Sequence, residues 1–74
     1  MRILLVEDDA MIGAGVQDCL RADGYAADWE RDGERAATAL RAGVYDLVLL
    51  DLGLPNRDGL SVLRELRARH DRTP

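Results

Sequence analysis

Ile3-Leu4-Leu5-Val6-Glu7-Asp8-Asp9 and, further along, Leu47-Val48-Leu49-Leu50-Asp51 share one pattern: a short, unbroken apolar run that stops at carboxylates. Runs of four apolar residues with no polar alternation suit strands covered on both faces, as in a parallel sheet. In an open parallel α/β sheet, chemistry gathers outside the carboxyl ends of the strands, where the strand order reverses. If the two runs are neighbours there, Glu7, Asp8 and Asp51 converge in one crevice. Three carboxylates that close repel one another, and a divalent cation relieves the repulsion. A ligand set made only of oxygen suits magnesium.

Working outward from these runs, the chain alternates. Arg2–Val6 reads as a strand. Ala10–Ala22 reads as a helix with Ile12, Val16, Cys19 and Leu20 on its apolar face, Asp8 or Asp9 able to cap its start and Gly24 after its end. Residues 25–30 form a second strand, weakened by Ala26-Ala27. Asp32-Gly33 has the composition of a hairpin turn, but residues 34–42 read as a helix with Ala36, Ala37 and Leu40 facing inward, stopped by Gly43. Residues 45–50 are the third strand. Gly53 and Pro55 break the following loop, and residues 60–69 form a third helix bearing Val62, Leu63 and Leu66. The order β-α-β-α-β-α predicts a parallel sheet with right-handed crossovers and helices on both faces.

The whole chain is 74 residues, enough for one small domain; at this size only about 60% of the unfolded surface becomes buried, so stability is marginal. A net charge of −4 with no basic stripe argues against this segment gripping nucleic acid. A single cysteine, Cys19, rules out an internal disulfide and fits a reducing, cytoplasmic compartment. On an apolar helix face it reads as a core residue. No apolar run approaches membrane-spanning length. Trp29 and Tyr25 read as packing residues, and Asp58 as a helix cap.

These pieces together resemble the receiver domain of bacterial two-component response regulators. The resemblance rests on Ile3-Leu4-Leu5-Val6 with Glu7-Asp8-Asp9, on residues 45–51, on Leu52-Gly53-Leu54-Pro55 and on Asp58-Gly59, in this order and spacing. The run Asp51-Leu52-Gly53-Leu54-Pro55 is most similar to the OmpR-like subgroup, whose members carry a winged-helix DNA-binding domain after the receiver. The resemblance implies a flavodoxin-like doubly wound sheet, here its first three strands and helices in order 2-1-3. It implies that Asp51 is the phosphoacceptor, that Asp8 binds magnesium directly, that Glu7 holds it through water and that the Gly53 carbonyl completes the metal shell. It also implies a histidine kinase as partner, docking on the side of the first helix that carries Met11, Gly15 and Asp18.

A complete receiver has five strands and five helices. Residues 1–74 are therefore expected to be a partial receiver ending before the fourth strand. The family's switch hydroxyl, phosphate-anchoring Lys and switch aromatic all fall beyond Pro74, and the ten basic residues Lys+Arg are all Arg. A third strand without its neighbour is expected to present a bare apolar edge that pairs with another copy or a complementary fragment. Two other functions compete: a magnesium-dependent aspartyl phosphatase, and a truncated module that binds a kinase without accepting phosphate. Phosphatases of that kind carry a second Asp two residues after the nucleophile, and here that position is Gly53.

Overall fold

The structure, a computed structural model, describes residues 1–51, 54–69 and 71–74. Strand β1 (Arg2–Val6) lies between β2 (Ala26–Glu30) and β3 (Leu47–Leu50), all parallel, in the order β2-β1-β3. This is the expected doubly wound arrangement. Its apolar run explains the central place of β1: Ile3, Leu4, Leu5 and Val6 are all buried, Leu4 completely. The register aligns Val6 with Glu30 on one side and with Leu50 on the other, so the three strands end level.

Each helix starts at an aspartate. Asp9 caps α1 (Ala10–Ala22), its carboxylate accepting from the Met11 and Ile12 amides at 2.9 and 3.0 Å. Asp32 caps α2 (Gly33–Leu40) and Asp58 caps α3 (Gly59–Ala68), accepting from the amides of Arg35 and Ser61 at 2.8 and 2.7 Å. Such caps contribute about 1 kcal/mol each. Helix α1 ends at Asp23, and Gly24 follows at φ +90°, a left-handed conformation that suits glycine.

Right-handed crossovers from β1 to β2 and from β2 to β3 run in opposite directions across the sheet and put α1 and α2 on opposite faces. Leu4 and Val6 pack with Ala36 and Leu40 of α2, Val62 and Leu66 of α3, and Leu54, forming the main core. Helix α1 packs over β1 and β2 on the other face, where Gln17 Nε2 donates to the Ala27 carbonyl at 2.9 Å. Among the described residues no helix is long and apolar enough to cross a membrane.

Several expectations are corrected. The inward face of α1 is turned by about one residue. Gly13 is buried and Val16, Gln17 and Leu20 are partly buried, whereas Ile12 is 55% exposed and Cys19 is also exposed. The cause is Trp29, whose indole occupies the space a side chain at position 13 would take. Tyr25 stands before β2 and is exposed. Helix α2 ends at Leu40, two residues early. Strand β3 begins at Leu47, two residues late; before it, Tyr45 and Asp46 bond Asp28 and Arg2 through their side chains. The outer edge of β3 is not wholly bare: the Val48 amide donates to the Pro74 carbonyl at 2.8 Å. On the α1 face, Leu49 remains 37% exposed.

The sheet is pinned at the edge where β1 begins. Asp28 Oδ2 accepts from Arg2 Nε and Nη2 at 3.1 and 2.8 Å and from the Tyr45 hydroxyl at 2.8 Å. The Arg2 amide donates to Asp46 Oδ2 at 2.8 Å. One carboxylate on β2 thus joins β1 to the segment that leads into β3. The Arg2 hydrogen bonds, helped by Tyr45, hold the Asp28 carboxyl below its usual range. Its contribution to stability is present above the unfolded carboxylate value of about 3.9 and is lost as pH falls through the lower folded value. Both partners are partly exposed, so the effect is modest. Asp28→Asn should be less stable at pH 7 and should lose less stability below about pH 4 than the unaltered protein. Denaturant titrations at pH 7 and at pH 3 check this; parallel losses in the two proteins would remove Asp28 from the acid response.

Candidate functional site

Because the strands end level, the residues just past β1 and β3 emerge side by side. Glu7 and Asp8 follow β1, and Asp51 follows β3. The chain leaves β1 toward β2 and leaves β3 the other way, so this is the point where the winding reverses. The backbone is held on both sides. The Glu7 amide donates to the Glu30 carbonyl at 3.1 Å, and the Asp51 amide to the Val6 carbonyl at 3.0 Å. Each of the three carboxylates offers an oxygen, and these oxygens lie within 4.8 Å of one another. None of the three residues is fully buried.

The donor set fits magnesium. Metal–oxygen distances of about 2.0–2.1 Å put inner-shell oxygens about 2.9 Å apart when adjacent and about 4.2 Å when opposite. A spread of up to 4.8 Å suits an ion touched by two carboxylates and reached by the third through water. Carboxylates are hard, anionic ligands, and a small dication relieves their mutual repulsion. Asp9 is not a member of the cluster among the described residues; its carboxylate is committed to the α1 cap, and its amide donates to Glu7 Oε1 at 3.2 Å. Asp58 likewise serves the α3 cap, as expected. The Gly53 carbonyl, expected to complete the metal shell, lies outside the described residues.

Met11, Gly15 and Asp18 all face outward from α1. Met11 is 86% exposed, and a Cβ at Gly15 would meet nothing within 4 Å. Sequence reasoning missed two residues that touch the site's backbone. The Trp29 indole N–H donates to the Glu7 carbonyl at 2.9 Å, and Arg31 Nη2 to the Asp8 carbonyl at 2.8 Å. No sequence signal marks them; they follow from the level strand ends, which put position 31 just past Glu30, the register partner of Val6.

The sequence pattern of the response regulator receiver domain matches residues 3–74. The chain belongs to the response regulator receiver family. Among curated proteins, this receiver is 50% identical to the transcriptional regulatory protein QseB of Haemophilus influenzae over 74 residues, all of this chain and 34% of that protein. The chain thus spans about a third of the length of the curated relatives it matches. Among solved structures, it is 37% identical to the receiver domain of the sensor histidine kinase PA1611 of Pseudomonas aeruginosa, which has magnesium coordinated in its active-site cleft. That match has a TM-score of 0.93 and covers 99% of this chain and 62% of the other. The response regulator TrrA in its complex with the histidine kinase ThkA is 38% identical, with a TM-score of 0.84, covering 92% of this chain and 59% of the other.

Asp8→Asn should weaken magnesium binding by about tenfold or more, because it removes one of the three converging negative charges. Asp58→Asn should leave it unchanged, since Asn caps a helix as well as Asp does. Calorimetric titration with magnesium compares the two; equal affinities would take Asp8 out of the site.

Proposed function

We propose that this receiver is a phosphoacceptor of a two-component relay and that Asp51 takes a phosphoryl group from a histidine kinase. The observation that carries the proposal is the meeting of the Glu7, Asp8 and Asp51 carboxylates within 4.8 Å at the reversal point of the sheet. An Asp51 carboxylate oxygen attacks phosphorus, the P–N bond to the kinase histidine breaks, and the imidazole nitrogen keeps the electron pair. The product is an aspartyl phosphate. Asp51 is held in line because its own amide continues the ladder to Val6. Asp8 would hold magnesium directly and Glu7 through water, with the Gly53 carbonyl completing the set; the ion, when bound, would supply charge neutralisation at the phosphoryl oxygens, the main electrostatic requirement of such a transfer. The residue two places after Asp51 is Gly53, which carries no acid to drive repeated turnover. The chain is accordingly a switch carrier rather than an enzyme.

The kinase docks on the outward side of α1 through Met11, Gly15 and Asp18, a reading supported by their exposure beside the acidic site and by the kinase complex of TrrA. The whole protein is a cytoplasmic transcription regulator with a winged-helix DNA-binding domain beyond the receiver, in keeping with the regulatory names of QseB and PmrA. A further strand, from more of the protein, a complementary fragment or another copy, adds beside β3. The place is marked by the Val48 amide and Pro74 carbonyl pair on that edge.

In the full-length protein, Asp51→Asn should abolish labelling by a phosphorylated kinase while leaving the fold unchanged. Retained labelling would move the acceptor elsewhere. Replacing Gly15 by Trp should leave stability within about 0.5 kcal/mol, as for a surface change away from packed features, yet slow transfer from the cognate kinase. Unaltered transfer would show that this side of α1 is not the docking face.

A further inference from the structure

We propose that Trp29 is a positioning residue for the metal ligands, acting on the backbone of Glu7 and Asp8 from β2; the inference rests on the magnesium site proposed above. The last ladder bond of β1 runs from the Glu7 amide to the Glu30 carbonyl, and beyond it the Glu7 carbonyl and Asp8 must be aimed by something other than the strand ladder. Two side chains from β2 and its end supply this. The Trp29 indole N–H donates to the Glu7 carbonyl at 2.9 Å, and Arg31 Nη2 donates to the Asp8 carbonyl at 2.8 Å. Arg31 also lies over the Trp29 ring, 5.8 Å from its centroid, so each steadies the other.

The indole is itself locked. It sits where a Cβ at position 13 would be, overlapping the ring edge and lying 2.8 Å from Nε1. Gly13 is buried on α1, whose N-terminal cap is Asp9. Trp29 therefore spans from the first turn of α1 to the carbonyl of Glu7, gripping both ends of the segment that carries Asp8. Both contacts are with main chain, so they orient the two carboxylates without competing for the ion. Hydrogen-bonded partners of metal ligands are worth about ten- to a hundredfold in affinity, and Trp29, acting on the main chain of Glu7 and Asp8, falls at the low end of that range.

Arg31 is a poor test of the idea. Its positive charge opposes a nearby cation, so removing it changes two effects of opposite sign. Trp29→Phe keeps an aromatic ring and the net charge and deletes the donor together with part of the indole's volume in the Gly13 notch. Gly13→Ala keeps Trp29 but forces the indole away from the Glu7 carbonyl. Val62→Ala, in the core on the other face of the sheet, lowers stability without touching the Glu7–Asp8 backbone. Magnesium alone is titrated calorimetrically into the full-length protein and these variants, with Asp8→Asn alongside and unfolding midpoints measured without metal. Trp29→Phe and Gly13→Ala should each weaken binding by about tenfold, and Val62→Ala should bind as the unaltered protein does. Unchanged affinity in Trp29→Phe, or an equal loss in Val62→Ala, overturns the positioning role while leaving the site itself standing. An unaltered protein that binds no better than Asp8→Asn overturns the site and the inference together.

Discussion

Val6 stands opposite Glu30 on one side and Leu50 on the other, and this shared register of three parallel strands is the constraint from which the rest follows. A slip of one residue in β3 would turn its apolar set over to the opposite face and withdraw Asp51 from Glu7 and Asp8. The register is held by burial. Leu4 and Val6 point to the face packed by α2 and α3, where they are 0% and 1% exposed, and Ile3 and Leu5 are buried as well. Each such side chain is worth about 1.5–3 kcal/mol when removed from water.

The two ends of the sheet do opposite electrostatic work. Where β1 begins, the single Asp28 carboxylate is satisfied by the Arg2 guanidinium and the Tyr45 hydroxyl, and the charges balance. Where the strands end, three carboxylates meet within 4.8 Å of one another. The first arrangement stabilises the fold and depends on no ligand. The second brings like charges together, an arrangement that costs stability unless other groups or a cation offset the repulsion; the Glu7 and Asp51 amides and the Asp8 carbonyl anchor its backbone. Asp9 illustrates the separation. It adjoins the cluster in sequence, yet its carboxylate serves α1 and helps to aim the chain that carries Asp8.

The two faces of the sheet also differ. Helices α2 and α3 bury one face together with Leu54, whereas α1 alone lies over β1 and β2 on the other, leaving Leu49 of β3 and Ile12 of α1 partly open. Glu65 on α3 accepts from Arg41 at 2.8 Å and from Arg57 at 3.3 Å, tying α3 to the end of α2 and to the turn before α3. That turn is tight: Asn56 has φ +64° and the Arg57 amide donates to the Pro55 carbonyl at 2.7 Å. It returns the chain to the packed face beside Leu54.

Taken by itself, the sequence determined the alternation of elements, the parallel sheet, the caps at Asp58 and at Asp8 or Asp9, and the meeting of Glu7, Asp8 and Asp51; that Asp32 caps α2 rather than making a hairpin turn came from the structure. The features read from the sequence follow from local signals: unbroken apolar runs, carboxylates at their ends, and short polar side chains placed before helical periods. The sequence did not determine which side of α1 faces inward. Gly13 carries no hydrophobic signal, so the pattern of Ile12, Val16, Cys19 and Leu20 pointed about one residue away from the true face. Only the tertiary structure decided that, because the volume filling the Gly13 notch belongs to Trp29 on another strand. For the same reason it alone disclosed the grip of Trp29 and Arg31 on the site, since main-chain carbonyls leave no mark in the sequence to say which distant side chain will reach them.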